Sequence, residues 1–199
     1  MSEMVERIRE GYLSAFSKHV KKGEPSPFYV ADLVMFGLMD RNIALVEAMP
    51  HLIEEENIHA LAPLLRVQLD GLLRLHAFRI VGSPDELARH VLGGGELRKF
   101  KDKEGNKLTD RHLVISLKLE LPWVESIYER LCGWVHFSES HIFAAVSEGE
   151  KDGMIEIGIG GYRKKIDDRI FQEAIEAIEA IHEAIITLIN AYFSMERGV

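Results

Sequence analysis

The chain contains a single cysteine, Cys132, among its 199 residues. One thiol cannot form a disulfide within the chain, and a lone cysteine inside an apolar segment is typical of proteins from a reducing compartment. The sequence has no apolar run close to the roughly 18 residues that a membrane-spanning helix needs. It also does not open on a basic segment followed by an apolar one, as a secretory signal does. We therefore expect a cytoplasmic protein that has no contact with a membrane.

Positive charge is scarce as well. The 24 lysines and arginines are outnumbered by 32 aspartates and glutamates, which gives a formal net charge of −8. Because neutralising the phosphates of a duplex takes clustered basic side chains, we expect no DNA partner. Any RNA must be bound by a local basic patch. The most basic segment spans residues 98–107, and it is more simply interpreted as a solvated loop than as an RNA contact.

The remaining composition is that of an ordinary globular protein. Hydrophobic residues make up 47% of the chain and charged residues 28%, and the length suits one domain with a sizeable core. The apolar residues recur mainly at steps of three and four, which indicates helices. We predict a single all-α domain over residues 1–199, a multi-helix bundle with helices near residues 3–20, 27–48, 59–81, 84–92, 113–121, from 122 onward, 138–147 and 167–197.

Several of these boundaries rest on capping residues. Gly23 is a stop signal for the first helix, and Ser26 followed by Pro27 is a typical start for the second. Ser83 with Glu86 three residues later has the spacing of a capping box. Thr109 and Asp110 favour a helix for residues 113–121, although the alternating leucines and isoleucine there also fit a strand.

Residues 154–160 are the exception to the helical pattern. Ile155, Ile157 and Ile159 alternate with Glu156 and Gly158, which predicts a short strand or one arm of a hairpin. A lone strand needs a partner, and the sequence leaves two possibilities open: residues 113–121, or the same strand of a second chain. The glycines that follow do not have the spacing of a phosphate-binding loop.

The last predicted helix has a sustained apolar seam with steps of three and four. Four glutamates, Glu173, Glu176, Glu179 and Glu183, lie off this seam and indicate a solvated face. The seam fits a bundle core and a dimer interface equally well. Its members are Phe171, Ala174, Ile178, Ile181, Ile185, Leu188 and Tyr192.

The segment from Pro122 to His141 concentrates the residues that could carry chemistry. Its apolar residues predict a helix whose buried face includes Val135 and Ile142, with Arg130 and His136 on other sides. On an ideal helix a spacing of six places these two residues about 120° apart and about 9 Å along the axis. They can therefore act on one phosphate only if the helix lies along a cleft, the arginine reaches across, or a second copy completes the site.

The segment Arg130-Leu-Cys-Gly-Trp-Val-His136, with Tyr128 before it and Ser138 after it, resembles the Arg, four to six residues, His signature of the HEPN superfamily. That superfamily consists of all-helical domains, many of them metal-independent endoribonucleases in toxin, defence and RNA-processing systems that work as dimers. The resemblance implies that Arg130 and His136 are the catalytic pair, that the protein is a homodimer acting on RNA, and that an antitoxin protein is a possible partner. Ribonuclease members often have a polar residue after the arginine, where this chain has Leu131.

The chemistry implied by the resemblance needs no metal and no cofactor. A neutral His136 would take the proton from a ribose 2′-hydroxyl, and Arg130 would stabilise the charge of the transition state, leaving a 2′,3′-cyclic phosphate. We expect the pair to be supported, or the substrate to be contacted, by five further residues: Arg66, Asp70, Tyr128, Ser138 and His141. Of these, Asp70 is spaced to pair with Arg66 or Arg74 along one helix, and Arg130 is a further candidate partner.

Other interpretations stay open at this point. The pairs Glu56 with His59 and Glu179 with His182 have the spacing of di-iron ligands, but about one such pair is expected by chance, so we predict no metal. Cys132 is more simply a small core residue than a nucleophile. In a purely structural role, Arg130 would pair with Asp70 or Glu129 and His136 would bond to the bundle frame. Leu131 and the acidic net charge favour the alternative of a non-catalytic helical module that binds nucleotide, RNA or a protein partner.

Overall fold

A computed structural model describes residues 1–20, 28–149, 151, 153–160 and 166–194. The described residues form eight α-helices and one antiparallel pair of short strands, so the prediction of an all-α bundle with a hairpin is confirmed. The elements are α1 (Ser2–His19), α2 (Val30–Glu54), α3 (Ile58–Ile80), α4 (Pro84–Leu92), a 3₁₀ turn (Leu97–Lys99), α5 (Asp110–Leu117), α6 (Val124–Val135), α7 (Glu139–Ala145), β1 (Val146–Glu148), β2 (Ile155–Ile157) and α8 (Asp168–Ser194).

The predicted capping residues that lie within the described residues form capping hydrogen bonds. Ser83 Oγ accepts a hydrogen bond from the amide of Glu86 at 3.2 Å, and Thr109 Oγ1 accepts one from His112. Residues 113–121 therefore belong in part to a helix, α5, which ends at Leu117. The signals at Gly23, Ser26 and Pro27 and the helix end predicted at Arg197 lie outside the described residues.

Helix α2 is longer at its C-terminal end than the sequence predicts. It continues to Glu54, six residues beyond the predicted end, with Pro50 inside its last turns. A proline removes one helical hydrogen bond. Here Val46 and Met49 are fully buried just before it, so packing against the core holds the helix through the proline.

The core is organised around α3. This helix packs against α2, α6 and α8, while α1 lies against α2 and α8. Leucines on several sides of α3 are completely buried, which explains why its sequence is apolar on more than one face. Of the two roles left open for the α8 seam, it serves this core: Phe171, Ala174, Ile178, Ile181, Ile185 and Tyr192 are buried, whereas Leu188 is only partly buried and Ile189 takes the core position.

A layer of polar side chains crosses the middle of the bundle, one from each of four helices. Tyr12 of α1 lies 2.7 Å from Nδ1 of His182 of α8, and Gln68 of α3 donates from Nε2 to the carbonyl of Asn42 of α2 at 3.5 Å. All four side chains are essentially inaccessible to water. Burial raises the pKa of Tyr12, so the phenol stays protonated.

The strand partner is one that the sequence did not predict. β2 pairs antiparallel with β1, with Val146 opposite Ile157, Ser147 opposite Glu156 and Glu148 opposite Ile155. Neither residues 113–121 nor a second chain is the partner in this hairpin. The helix predicted over 138–147 is also too long, because it ends at Ala145 and the chain continues directly into β1.

In the described ranges, no helix is long and apolar enough to cross a membrane.

Candidate functional site

The corner between α6 and α7 carries the residues that the sequence singles out. Helix α6 ends at Val135, and His136 follows it in an extended conformation, with φ −96° and ψ 140°. The prediction that His136 lies on the same helix as Arg130 is therefore wrong. The common buried face predicted for Val135 and Ile142 is wrong too, since these side chains are 45% and 47% exposed and belong to different helices.

Ser138 explains why the chain turns here. Its hydroxyl donates to the carbonyl of Gly133 in the last turn of α6 at 2.5 Å, and the residue is also the N-cap of α7. The backbone N–H of Ser138 donates to Nδ1 of His141 at 3.3 Å, which completes a capping arrangement at the start of α7. Ser138 and His141 thus have a definite structural role in shaping the corner that presents His136.

Arg130 points towards α8 rather than towards the corner. Its guanidinium forms an ion pair with Glu173 and is 63% exposed. The expected partners Asp70 and Glu129 are not the ones observed. The arginine also borders a small cavity of about 70 Å³ between α3, α6 and α8, whose other lining residues are mostly apolar and include Leu131 and Trp134. The residue after the arginine, Leu131, is buried in the core.

Arg130 and His136 are not brought into contact within one chain. His136 is exposed, and among the described residues no hydrogen bond or ion pair joins it to Arg130. The backbone N–H of His136 still donates to the carbonyl of Cys132, so the residue is anchored at the end of α6. The two groups therefore share one end of a helix while facing different surroundings.

Four aromatic rings cluster beside His136. Trp134, Phe137, His141 and, from the start of α3, His59 lie with ring centroids 5.5–5.7 Å apart in successive pairs. Phe137 stacks on His141 with an angle of 22° between the rings and is 84% exposed. Sequence reasoning missed the roles of His59, Trp134 and Phe137, because His59 is more than 70 residues away and no local pattern signals the contact.

The charged stripe on α3 is a network that connects three helices. Asp70 lies 2.7 Å from Arg74 and 3.8 Å from Arg66, as predicted, and Asp110 at the start of α5 bonds both arginines at 2.8 and 3.3 Å. The guanidinium of Arg66 also lies 4.4 Å from the ring centre of Tyr128 on α6. The negative charges of the two carboxylates balance the positive charges of the two guanidinium groups. This network therefore stabilises the packing of α3, α5 and α6 and leaves little net positive charge to bind a substrate phosphate.

Glu179 and His182, which have the spacing of di-iron ligands, do not converge on a common point. Glu179 pairs with Arg7 on the surface, while His182 is buried and bonded to Tyr12. In the part of the chain that the structure describes, no three His, Cys, Asp or Glu side chains are grouped as a metal site. Cys132 is a free, half-buried thiol on α6.

The basic segment 98–107 folds into an ordered turn. The backbones of Lys101 and Lys107 form an isolated antiparallel β-bridge across this turn. The carboxylate of Asp102 accepts hydrogen bonds from the backbone N–H groups of Glu104 and Asn106 and lies 2.7 Å from Nε2 of His112. The lysines around Asp102 are exposed. The solvated-loop interpretation fits this geometry.

Comparisons with protein-family models, with curated proteins and with solved structures found no match for this chain. The class that the fold defines is an all-α helical bundle with a small β-hairpin. What the site can do follows from its own residues: an exposed imidazole, an exposed guanidinium held by one carboxylate, and an aromatic cluster formed by residues next to the imidazole in the chain.

Proposed function

We propose that this protein is a metal-independent endoribonuclease that resembles HEPN ribonucleases and acts in the cytoplasm. The observation that carries the proposal is the end of α6 at Val135, since it leaves the His136 ring exposed at the corner where the aromatic cluster also reaches solvent. Unstacked RNA bases are commonly bound by aromatic and histidine rings. Phe137 offers such a surface directly next to His136.

In this proposal His136 acts as the general base and Arg130 as the stabiliser of negative charge. The imidazole removes the proton of a ribose 2′-hydroxyl, whose oxygen attacks the adjacent phosphorus as the bond to the 5′-oxygen breaks, and the departing oxygen takes a proton from water. The products are a 2′,3′-cyclic phosphate and a free 5′-hydroxyl. A positioned base of this kind contributes about 10²–10⁴-fold to the rate, and the charge stabilisation is of similar size.

The separation of the two groups within one chain makes a dimer part of the proposal. Arg130 of one copy and His136 of the other would face a common phosphate. In the free protein the carboxylate of Glu173 is paired with the guanidinium of Arg130. The substrate phosphate must therefore displace this carboxylate to bind the guanidinium. An exposed ion pair is weak, about 0.2–1 kcal/mol, so the exchange costs little.

The test is cleavage of single-stranded RNA in EDTA by the parent protein and by Arg130→Ala and His136→Ala. We expect each substitution to reduce the rate at least about 100-fold. Arg7→Ala is a matched control, because Arg7 is another exposed arginine that pairs with a glutamate of α8. His51→Ala, an exposed histidine on α2, controls for the loss of an imidazole. Cleavage by the His136 variant at the parent's rate would exclude the mechanism.

A second candidate is a non-catalytic module that uses the same corner to bind RNA, a nucleotide or a protein such as an antitoxin. The ion pair of Arg130 with Glu173 and the burial of Leu131 favour it, since both are what a structural helix requires. The two proposals differ in one measurement. A module would bind labelled RNA or nucleotide in an anisotropy assay, and lose binding on Phe137→Ala, without producing any cyclic phosphate.

A further inference from the structure

Residues 135–159 expose an unusual amount of apolar side chain. Among the described residues of this stretch, seven large hydrophobic ones are exposed: Val135, Phe137, Ile142, Met154, Ile155, Ile157 and Ile159. The three isoleucines of β2 and its extension are 68%, 64% and 77% exposed, and their spacing of two places them on one face of the hairpin. Large exposed apolar patches on a folded protein mark interaction surfaces.

The backbone of β2 has an open edge. Gly149 N–H donates to the carbonyl of Met154, and Gly158 N–H donates to the carbonyl of Ala145. Hydrogen-bonded pairs alternate along an antiparallel ladder, so Ser147 and Glu156 bond each other, while the backbone groups of Ile155 and Ile157 point away from β1. Among the described residues, no cross-segment backbone hydrogen bond uses them. These groups can accept a further strand.

The sequence of this edge is complementary to itself. In an antiparallel pair with the two-fold axis at Ile157, Ile155 faces Ile159 of the second copy, Ile157 faces its own equivalent and Glu156 faces Gly158. Every apolar residue then meets an apolar residue. A register centred on Glu156 would instead place two carboxylates opposite each other, which is destabilising.

We propose that two copies of this chain associate through β2, in antiparallel register about Ile157, to form a four-stranded sheet. An isolated two-stranded hairpin is marginally stable in water, and a flat apolar edge tends to pair with other chains. Pairing with a second copy satisfies the outward amides and brings isoleucine side chains together across the axis. The proposal gives the dimer of the proposed function a definite surface, but it rests on the hairpin alone and not on RNA chemistry.

Cysteine cross-linking tests the register. In a Cys132→Ser background, Ile157→Cys should form a disulfide-linked dimer under mild oxidation, since residues opposite each other in a hydrogen-bonded pair have Cα atoms about 5.5 Å apart, within disulfide range. Glu156→Cys should cross-link poorly, because the equivalent residue lies diagonally, about 7–8 Å away. Leu119→Cys, 86% exposed and far along the chain from β2, measures random collision. Cross-linking of the Glu156 variant in preference to Ile157→Cys, or no excess of either over Leu119→Cys, would overturn the proposal.

The mass in solution gives an independent measurement that needs no oxidation. The parent should have a dimer mass in light scattering at micromolar concentration, and Ile157→Lys should be a monomer with the parent's helical circular dichroism. Leu119→Lys should remain a dimer. A parent that is monomeric at every concentration, or an Ile157→Lys variant that still dimerises, contradicts the pairing whether or not the protein cleaves RNA.

Discussion

Acidification should destabilise this bundle through buried histidines whose pKa is lowered, His76 and, more deeply buried, His182. Burial lowers the pKa of His182 to about 4, well below the ordinary value of 6.5. Nδ1 of the neutral ring lies 2.7 Å from the hydroxyl oxygen of Tyr12, so the two groups share one hydrogen bond. Above pH 6.5 both the folded and the unfolded chain carry a neutral ring. Between pH 6.5 and pH 4 only the unfolded chain takes up a proton, so the free energy of unfolding falls.

The size of the loss follows from the difference between the two pKa values. A shift of about 2.5 units corresponds to about 3 kcal/mol, complete once the pH is below 4. For a domain whose total stability is of the order of 5–15 kcal/mol, this is a large fraction. Protonation would also place a hydrogen on both ring nitrogens, so Nδ1 could donate to the oxygen of Tyr12 but could no longer accept from its hydroxyl.

The substitution that isolates this effect is His182→Asn. The side-chain oxygen of asparagine can take the place of Nδ1 towards Tyr12, but it does not titrate. We expect the variant to lose about 3 kcal/mol less than the parent between pH 7 and pH 4, measured from urea unfolding followed by circular dichroism. His136→Asn, at an exposed position, controls for the substitution itself. Parallel pH profiles for the parent and His182→Asn would refute the reasoning.

Three further outcomes follow from contacts described above. Asp110→Ala should lower the free energy of unfolding by roughly 1–3 kcal/mol, because it leaves two half-buried arginines short of a partner, whereas Glu179→Ala, within α8 at an exposed ion pair, should change it by less than about 0.5 kcal/mol; thermal unfolding compares the two. Glu173→Gln should raise the affinity for single-stranded RNA by up to about fivefold in an anisotropy titration, because Arg130 is freed, and unchanged affinity would remove this arginine from the binding surface. Ser83→Ala should cost about 1 kcal/mol through loss of the N-cap of α4, and no loss of helix stability on urea unfolding would contradict that role.

The sequence predicted the features that depend on neighbours along the chain. Periodicity located most helices, and the hydroxyls of Ser83 and Thr109 marked two starts because capping is decided within four residues. The end of α6 was missed since the apolar pattern continues through Val135, while the break depends on a bond from Ser138 back to Gly133. The spacing of apolar residues carries no information about that hydrogen bond, so it could not predict the end of the helix.

Contacts between distant segments were the other failure. The sequence predicts that Arg130 pairs with a carboxylate on its own helix or on α3. The observed partner is Glu173 of α8, 43 residues later in the chain. Which glutamate of the solvated face meets the arginine depends on the crossing of α6 and α8, and the sequence does not specify it. The strand partner was missed for a related reason, since Val146–Glu148 is too short to stand out from the helix before it.

The end of α6 at Val135 also determines how the two candidate groups can move. Arg130 is fixed by the hydrogen bonds of the helix and can change position only through its side-chain torsions. His136 is tied to the helix by its amide, and only Phe137 separates it from Ser138, which is bonded back to Gly133, so its ring changes position mainly through its own side-chain torsions. Because the backbone is held at both residues, the gap between the guanidinium and the imidazole within one chain can change only through the torsions of these two side chains.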